Sequence, residues 1–309
     1  MHPWLSVVMP VHRPTPWFEE ALASIAAQGE ARDAIEIIIR DSTPEGPAGE
    51  AAAARFASGL AIDYAHVPSV ASWTAKTNAM VAAARARHVC TLHQDDVWLA
   101  GRAQAMRAML ARHDDAALIF GPARLIDPAG RDMGGLYPPF TPGLIPNSQF
   151  RDRLLVQNTL AMPSPVFSRE AFIAAGGMDE TLWYTPDWEL WLKLGDQGKV
   201  VFDPQPTSAF RIHPAAQTMT RSREELAAQL QLVLARHLLP KASTAQLSQA
   251  SVAINIALAE AAAGDRAAKW RALASLWGLG PLGAYRYLRY SRLAERLLPR
   301  LRLRLAGGL

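Results

Sequence analysis

Three short runs concentrate side chains able to hold a charge, a metal or a mobile proton. The first is Leu92-His93-Gln94-Asp95-Asp96-Val97-Trp98, with two adjacent carboxylates. Mg²⁺ is typically held by one or two carboxylates together with substrate phosphates, so the pair suits a metal-bound diphosphate. It equally suits a helix N-cap followed by a solvated turn. The second run is Tyr184-Thr185-Pro186-Asp187-Trp188-Glu189-Leu190-Trp191, preceded by Gly176-Gly177-Met178-Asp179-Glu180. An Asp at a helix start among tryptophans reads either as a cap anchored by packing or as a general base in an apolar cleft. An unperturbed Asp, with a pKa of ~3.9, is already ionised at neutral pH, so the base role asks for position rather than a shifted pKa. The third run is Phe210-Arg211-Ile212-His213, followed by Gln217 and Thr218. A His beside a strand end is usually a structural hydrogen-bonder; it matters here as a third ligand to a metal held by the carboxylates.

The elements that must position these groups alternate between β-rich runs and helical patterns, the signature of a sheet with crossover helices. Strands are expected at Leu5 to Met9, Ile35 to Ile39, Ala61 to Val67 and Val89 to His93. Between them, Thr15 reads as an N-cap with Pro16 at the first helical position and Gly29 as the stop. Helices follow near Ala51 to Ser58 and Trp73 to Arg87, and another runs from Gly101 to about Arg112. Further strands are expected at Ala117 to Phe120, Arg124 to Ile126 and Pro163 to Phe167, with Val200 to Phe202 and Ser208 to Ile212 closing the sheet. Ser168 caps a short helix ended by Gly176 and Gly177, Asp187 to Leu194 forms another helix, and Gly135 to Asn147 reads as an irregular loop. Asp41 and the Asp95/Asp96 pair sit where open α/β sheets bind ligands, outside the carboxyl ends of strands. From Ser222 onward only helical patterns remain, which divides the chain into 1–220 and 221–309.

Composition narrows the class. Half of the 309 residues are apolar and 19% are charged, which excludes collagen-like and disordered chains. A single cysteine, Cys90, forms no internal disulfide, and no Cys/His cluster has zinc spacing, so a reducing, cytoplasmic setting is expected. No signal peptide or membrane-spanning run is read. The formal charge of +4 is unevenly spread: Arg266 to Arg304 holds ten Lys or Arg against Glu295 alone, leaving an acidic remainder. Interleaved with Trp270, Trp277, Tyr285, Tyr287 and Tyr290, this basic tail suits the anionic inner face of the plasma membrane. A solvated appendage, or a face packed on the acidic body, is the plainer reading. No nucleic-acid-binding motif accompanies the charge.

Taken in order, Leu5-Ser6-Val7-Val8-Met9-Pro10-Val11-His12, Ser24 to Gln28, Ile37-Ile38-Ile39-Arg40-Asp41-Ser42-Thr43, Lys76-Thr77-Asn78, His93-Gln94-Asp95-Asp96, Gly176-Gly177-Met178-Asp179, Asp187-Trp188-Glu189-Leu190 and Arg211-Ile212-His213 resemble family 2 glycosyltransferases over roughly residues 4 to 220. The resemblance implies a GT-A fold, an α/β Rossmann-like architecture whose mixed, mostly parallel sheet is flanked by helices, here with an α-helical C-terminal extension. It implies an inverting transfer of a sugar from a nucleotide-sugar donor, UDP- or dTDP-linked, to a hydroxyl of a glycan or lipid-linked acceptor in cell-surface glycan synthesis. By position, Asp187 matches the catalytic base and Asp41 the carboxylate at the nucleotide base. Asp96 and His213 match the ligands of a divalent Mg or Mn ion, and Asp95 lies by the ribose and phosphate. Pro10, His12, Lys76 and Asn78 join the donor-binding set.

Three positions depart from the family pattern. His12 replaces the common Asn, Arg40-Asp41 replaces a double acidic pair, and His93 replaces the first Asp of the metal element. These departures suggest a second class of function, a nucleotide-sugar-binding or scaffold protein without turnover. A nucleotidyltransferase would want a Gly-rich phosphate loop after the first strand, and Val11 to Thr15 has no glycine.

Overall fold

The computed structural model describes residues 2–214, 222–239 and 243–305. The division expected near residue 220 and the polar pair Gln217 and Thr218 lie outside the described residues.

The first strand, β1 (Leu5–Val11), is buried along its whole length, as a central parallel strand covered on both faces must be. Parallel neighbours flank it: β2 (Ile35–Asp41) on one side and β4 (His88–Thr91) on the other, with β3 (Ala61–His66) outside β2. The sheet continues through β10 (Val166–Ser168), β6 (Ala116–Phe120), β11 (Lys199–Phe202) and β9 (Gly143–Ile145), giving the order β3-β2-β1-β4-β10-β6-β11-β9. β10 is antiparallel to both neighbours, so the sheet is mixed but mostly parallel. A smaller sheet orders β5 (Val97–Trp98), β12 (Ser208–Arg211), β7 (Ala123–Ile126) and β8 (Asp132–Leu136). The expected fold class is the observed one.

Side-chain alternation along β1 divides the core in two. Val7 and Met9 join Phe18, Leu22 and Ile25 of α1 (Trp17–Ala26), Ala52 of α2 (Glu50–Phe56) and Met106 of α4 (Arg102–Arg112). Val8 faces Met80 and Val81 of α3 (Trp73–Ala83), Phe150 and Leu154 of α5 (Asn147–Val156), Phe172 of α6 (Arg169–Ala174) and Trp191 of α7 (Pro186–Gln197). The chain after residue 221 is helical in its described parts: α8 (Arg223–His237), α9 (Ala245–Ala262), α10 (Ala268–Trp277), α11 (Gly280–Ser291) and α12 (Leu293–Leu305). α8 completes the second core through Leu226, Leu230 and Val233. Glu295 of α12 accepts the Tyr137 amide at 2.9 Å, which ties the last helix to the end of β8. Among the described residues no helix is long and apolar enough to cross a membrane.

Several boundaries differ from the sequence reading, each for a local reason. Thr15 does not cap α1 with its side chain; the helix opens one residue later, with Pro16 at the cap position and the Thr15 carbonyl accepting from the Phe18 amide. α3 stops at Ala83 rather than Arg87, because the Arg85 and Ala86 amides turn to the buried carboxylate of Glu36 at 2.6 and 3.3 Å. The stretch read as an irregular loop contains the end of β8 and all of β9, and α5 begins at its last residue. β4 ends at Thr91, and the polar cluster after it folds into a turn closed by the Asp96 amide on the His93 carbonyl.

Candidate active site

The carboxyl ends of β1 and β2 are knitted together by buried polar groups. Asp41, at the last position of β2, is fully buried. Its Oδ1 accepts from the Thr43 amide and hydroxyl at 2.9 and 2.6 Å, and its Oδ2 from the Gly49 amide and the Tyr64 hydroxyl, both at 2.8 Å. Burial alone would raise its pKa, but the donors from Thr43, Gly49 and Tyr64 outweigh that and hold it below the usual Asp value. With both oxygens doubly engaged inside the protein, Asp41 shapes the loop from Ser42 to Gly49 and does not offer the free carboxylate expected at a nucleotide base. Its neighbour Arg40 is paired with Asp63 at 2.9 Å.

Lys76 of α3 reaches beneath this junction and donates to the Val11 carbonyl at 2.6 Å and the Ser42 hydroxyl at 2.7 Å. Burial brings its pKa down to about 8, against the pull of Asp41. His12 is exposed at the rim, with Nδ1 3.2 Å from both the carbonyl and hydroxyl oxygens of Ser42. Its backbone is clasped by Gln94, which accepts from the His12 amide at 2.9 Å and donates to its carbonyl at 3.1 Å. Pro10 is buried within β1, opposite Arg40. Asn78, two residues after Lys76 on α3 and so on the other side of the helix, faces elsewhere: it accepts from the Met178 amide and donates to the Met178 carbonyl and Glu180. It therefore fixes the Gly177 turn rather than joining the strand-end cluster.

The turn after β4 meets the end of β12. Asp95 is 28% exposed, and its Oδ2 lies 2.8 Å from His213 Nε2. Burial pushes its pKa up, but the bond from His213 together with the electrostatic pull of His93 and His213 outweighs this and holds it below the usual range. Asp96 is buried: Oδ1 accepts the Arg211 amide at 3.0 Å, and Oδ2 is sealed without a hydrogen-bond partner. Burial and the adjacent Asp95 charge push Asp96 well above the ordinary Asp pKa. Arg211 locks the corner by donating to the Asp95 carbonyl at 2.9 Å and to Glu20 at 2.6 Å. His93 stacks edge-on to Trp73 with centroids 5.1 Å apart, and its buried Nε2 has no partner.

This donor set bears directly on a metal. Among the described residues no group of three or more His, Cys, Asp or Glu is arranged to hold an ion. Of the ligands expected from the sequence, Asp96 gives Oδ1 to the Arg211 amide and His213 gives Nε2 to Asp95, while Asp96 Oδ2 and His213 Nδ1 are buried without a hydrogen-bond partner. The set does fit a divalent ion that arrives on a diphosphate and takes one further carboxylate, and Asp95 is the more exposed member of the pair.

Asp187 occupies a separate cavity of about 220 Å³. Neither Asp41 nor Asp96 lines it. Pro186 starts α7 and puts Asp187 in its first turn, while Trp188 and Trp191 bury the helix against the core. The Asp187 Oδ2 accepts from Asn158 Nδ2 at 2.9 Å. Burial raises the Asp187 pKa to about 6, against the Trp188 amide and the Asn158 bond. The ordinary pKa assumed from the sequence is therefore corrected: the group is a stronger base than a solvated Asp and remains mostly ionised at neutral pH. The two regions share a wall, because Phe210 lines the cavity while the next residue on β12, Arg211, holds Asp95 and Asp96. Met162, on the cavity wall, accepts from Thr91 at the end of β4 through its carbonyl.

With the geometry in place, the comparisons decide the family. The model of Glycosyl transferase family 2 matches residues 6–162, half of the chain. The chain belongs to glycosyl transferase family 2. The match bears out the resemblance read from the motifs and spans the strand-end cluster, the Asp95 turn and Asn158. No curated protein sequence matches. Among solved structures, S. aureus TarS shares 11% identity at a TM-score of 0.60, covering 88% of this chain and 53% of TarS. This chain thus spans about half the length of that protein. The TarS fragment 1-349 in complex with UDP-GlcNAc superposes at a TM-score of 0.64, with 13% identity and coverage of 96% and 87%. A mannosyltransferase, PcManGT from Pyrobaculum calidifontis, solved with GDP-Man and Mn2+, gives 0.56 and 18% identity, covering 97% of this chain and 87% of its own. At such identities the likeness is one of fold.

Sequence reasoning missed Asn158, Gln94 and the arginines of α12 that reach the Asp187 cavity. Arg296 and Arg300 are four apart, hence on one helix face, but within a basic tail nothing in the residue types marked them out from the other arginines.

Proposed function

We propose that the protein is an inverting glycosyltransferase that moves a sugar from a nucleotide-sugar donor to an acceptor hydroxyl, with Asp187 as the base. The observation that carries this reading is a carboxylate of raised basicity in a preformed cavity, oriented by Asn158 and adjoining the Asp95 turn across β12. The donor binds at the strand ends, its diphosphate toward Asp95 and its nucleoside over His12 and the Ser42 loop. Asp187 takes the proton of the acceptor hydroxyl as that oxygen bonds to the anomeric carbon. The bond from that carbon to the diphosphate breaks on the opposite side, and the nucleoside diphosphate leaves. A divalent ion held by Asp95 would offset the charge growing on the leaving group. UDP- and dTDP-sugars are the first donors to try, and the fold shared with proteins solved with UDP-GlcNAc and GDP-Man adds GDP-sugars.

A panel of nucleotide sugars, read by release of nucleoside diphosphate, tests the activity. Asp187→Asn should lose ~10²- to 10⁴-fold in turnover while keeping donor affinity in calorimetry. Transfer near the wild-type rate by that variant refutes the base assignment, and no release from any donor favours the scaffold reading.

The product is read as cell-surface glycan or lipid-linked oligosaccharide, made at the cytoplasmic face of the membrane. Support comes from the tail, where Trp270, Trp277 and Leu282 are 73%, 88% and 72% exposed. Among the described residues Lys269, Arg286, Arg289, Arg302 and Arg304 have no carboxylate partner there. Such charges contribute ~1 kcal/mol each near an anionic surface. The extension also supplies cavity residues, so the division at 220 is one of sequence pattern while the site draws on both parts. Sedimentation with anionic liposomes should carry the protein down at low salt and release it at high salt; protein left in the supernatant at low salt refutes the membrane reading.

A further inference from the structure

The Asp187 cavity contains two positive side chains that the transfer reaction as described leaves unused. Arg296 and Arg300 both line it, one turn apart on α12. Among the described residues neither has a carboxylate partner. Arg296 donates to two neutral amide oxygens, Gln157 Oε1 at 2.6 Å and Asn255 Oδ1 at 2.8 Å. Arg300 donates to the Arg296 carbonyl at 2.6 Å and is otherwise exposed at the mouth. The one acid in the lining, Asp187, is held by Asn158 instead.

Two like charges a helical turn apart repel, and burying one against amides rather than a carboxylate is unfavourable unless an anion completes the site. A guanidinium has five N–H donors, so each arginine keeps most of its own for a ligand. Gln157 and Asn255 fix the plane of Arg296 in advance, as two parallel hydrogen bonds to two oxygens of a phosphate require. Leu125, Leu136, Leu160 and Phe210 supply apolar walls that strengthen such a contact.

We propose that Arg296 and Arg300 form an anion subsite in the acceptor half of the active site, so that the accepted molecule carries a phosphate group close to the hydroxyl that is glycosylated. The assignment to the acceptor rests on the reading of Asp187 as the base, since the arginines share its cavity and not the Asp95 turn.

The full chain is titrated calorimetrically with two phosphate monoesters, sn-glycerol 1-phosphate and short-chain dihexanoyl phosphatidic acid, and with nucleoside diphosphate. Arg300→Gln is the primary variant, because its side chain bonds only to its own helix; Arg296→Gln and the double variant follow, with melting temperature as the folding control. Expected is binding of at least one phosphate monoester, weakened about tenfold or more in Arg300→Gln, with nucleoside diphosphate affinity held within about twofold. Equal affinity for both monoesters assigns the phosphate to a free anionic acceptor, and tighter binding of the lipid form assigns it to a lipid headgroup. Two results overturn the proposal: no monoester binding by the wild-type chain, or a nucleoside diphosphate affinity that falls as much as the monoester affinity, which would give the arginines to the donor. Asp187→Asn is run alongside. If it keeps wild-type turnover while the arginine variants still lose the monoester, the base reading fails and the anion subsite stands.

Discussion

Removing the Asn158 amide isolates how the Asp187 carboxylate is tuned. In Asn158→Ala the bond from Nδ2 to Asp187 Oδ2, 2.9 Å long, disappears while the surrounding burial remains. A hydrogen bond to a charged group contributes about 1.5–3 kcal/mol, and 1.36 kcal/mol corresponds to one pKa unit. The Asp187 pKa should therefore climb from about 6 by roughly one to two units. Since only the ionised carboxylate accepts the proton, activity is lost as pH falls through this pKa, and the acid limb of the rate profile should move up with it. At pH 7 the ionised fraction drops from about nine-tenths to between about a half and a tenth, so turnover falls roughly two- to tenfold. At pH 9 both proteins are ionised and the rates should converge. The assay is nucleoside diphosphate release from the best donor across pH 5 to 9. The variant also loses the acceptor of the Leu160 amide, so a melting curve accompanies it. An acid limb that stays put while the rate falls uniformly at every pH refutes the electrostatic role of Asn158. It would leave Asn158 as a support of the turn.

Metal dependence should follow Asp95 rather than Asp96. Asp95→Ala is expected to weaken donor binding in Mn²⁺ by about tenfold or more and to leave binding in chelator unchanged, whereas Asp96→Ala should act mainly on melting temperature by releasing Arg211; calorimetry with and without Mn²⁺ reads both, and a larger metal-specific loss in Asp96→Ala would reverse the assignment. Gly177 sits at φ +67°, where a Cβ would meet Asn78 Oδ1 at 2.8 Å, so Gly177→Ala should destabilise the fold by roughly 1–3 kcal/mol and lower Tm by several degrees. An unchanged melting curve would mean that the Asn78 contact yields freely.

The order of elements, the buried parallel strands and the family itself were legible in the residues, because a fully apolar run such as Ile35 to Ile39 has few foldable alternatives, and because the motifs keep their sequence order whatever their contacts. The position of Asp187 at the start of a helix was legible too, from Pro186 and the tryptophans that follow. What the linear chain withheld was which polar atoms are already engaged. Asp41 and Asp96 look like free carboxylates as letters, yet one is closed by Thr43, Gly49 and Tyr64, and the other has one oxygen taken by the amide of Arg211, 115 positions away, and the second buried out of water. The basicity of Asp187 likewise depends on desolvation by a cavity whose wall comes partly from α9 and α12, far along the chain. Residue type sets which charges a chain carries, and local pattern sets which elements carry them. Only the packed tertiary structure determines how much water and how many donors each charge retains, and the chemistry follows from that.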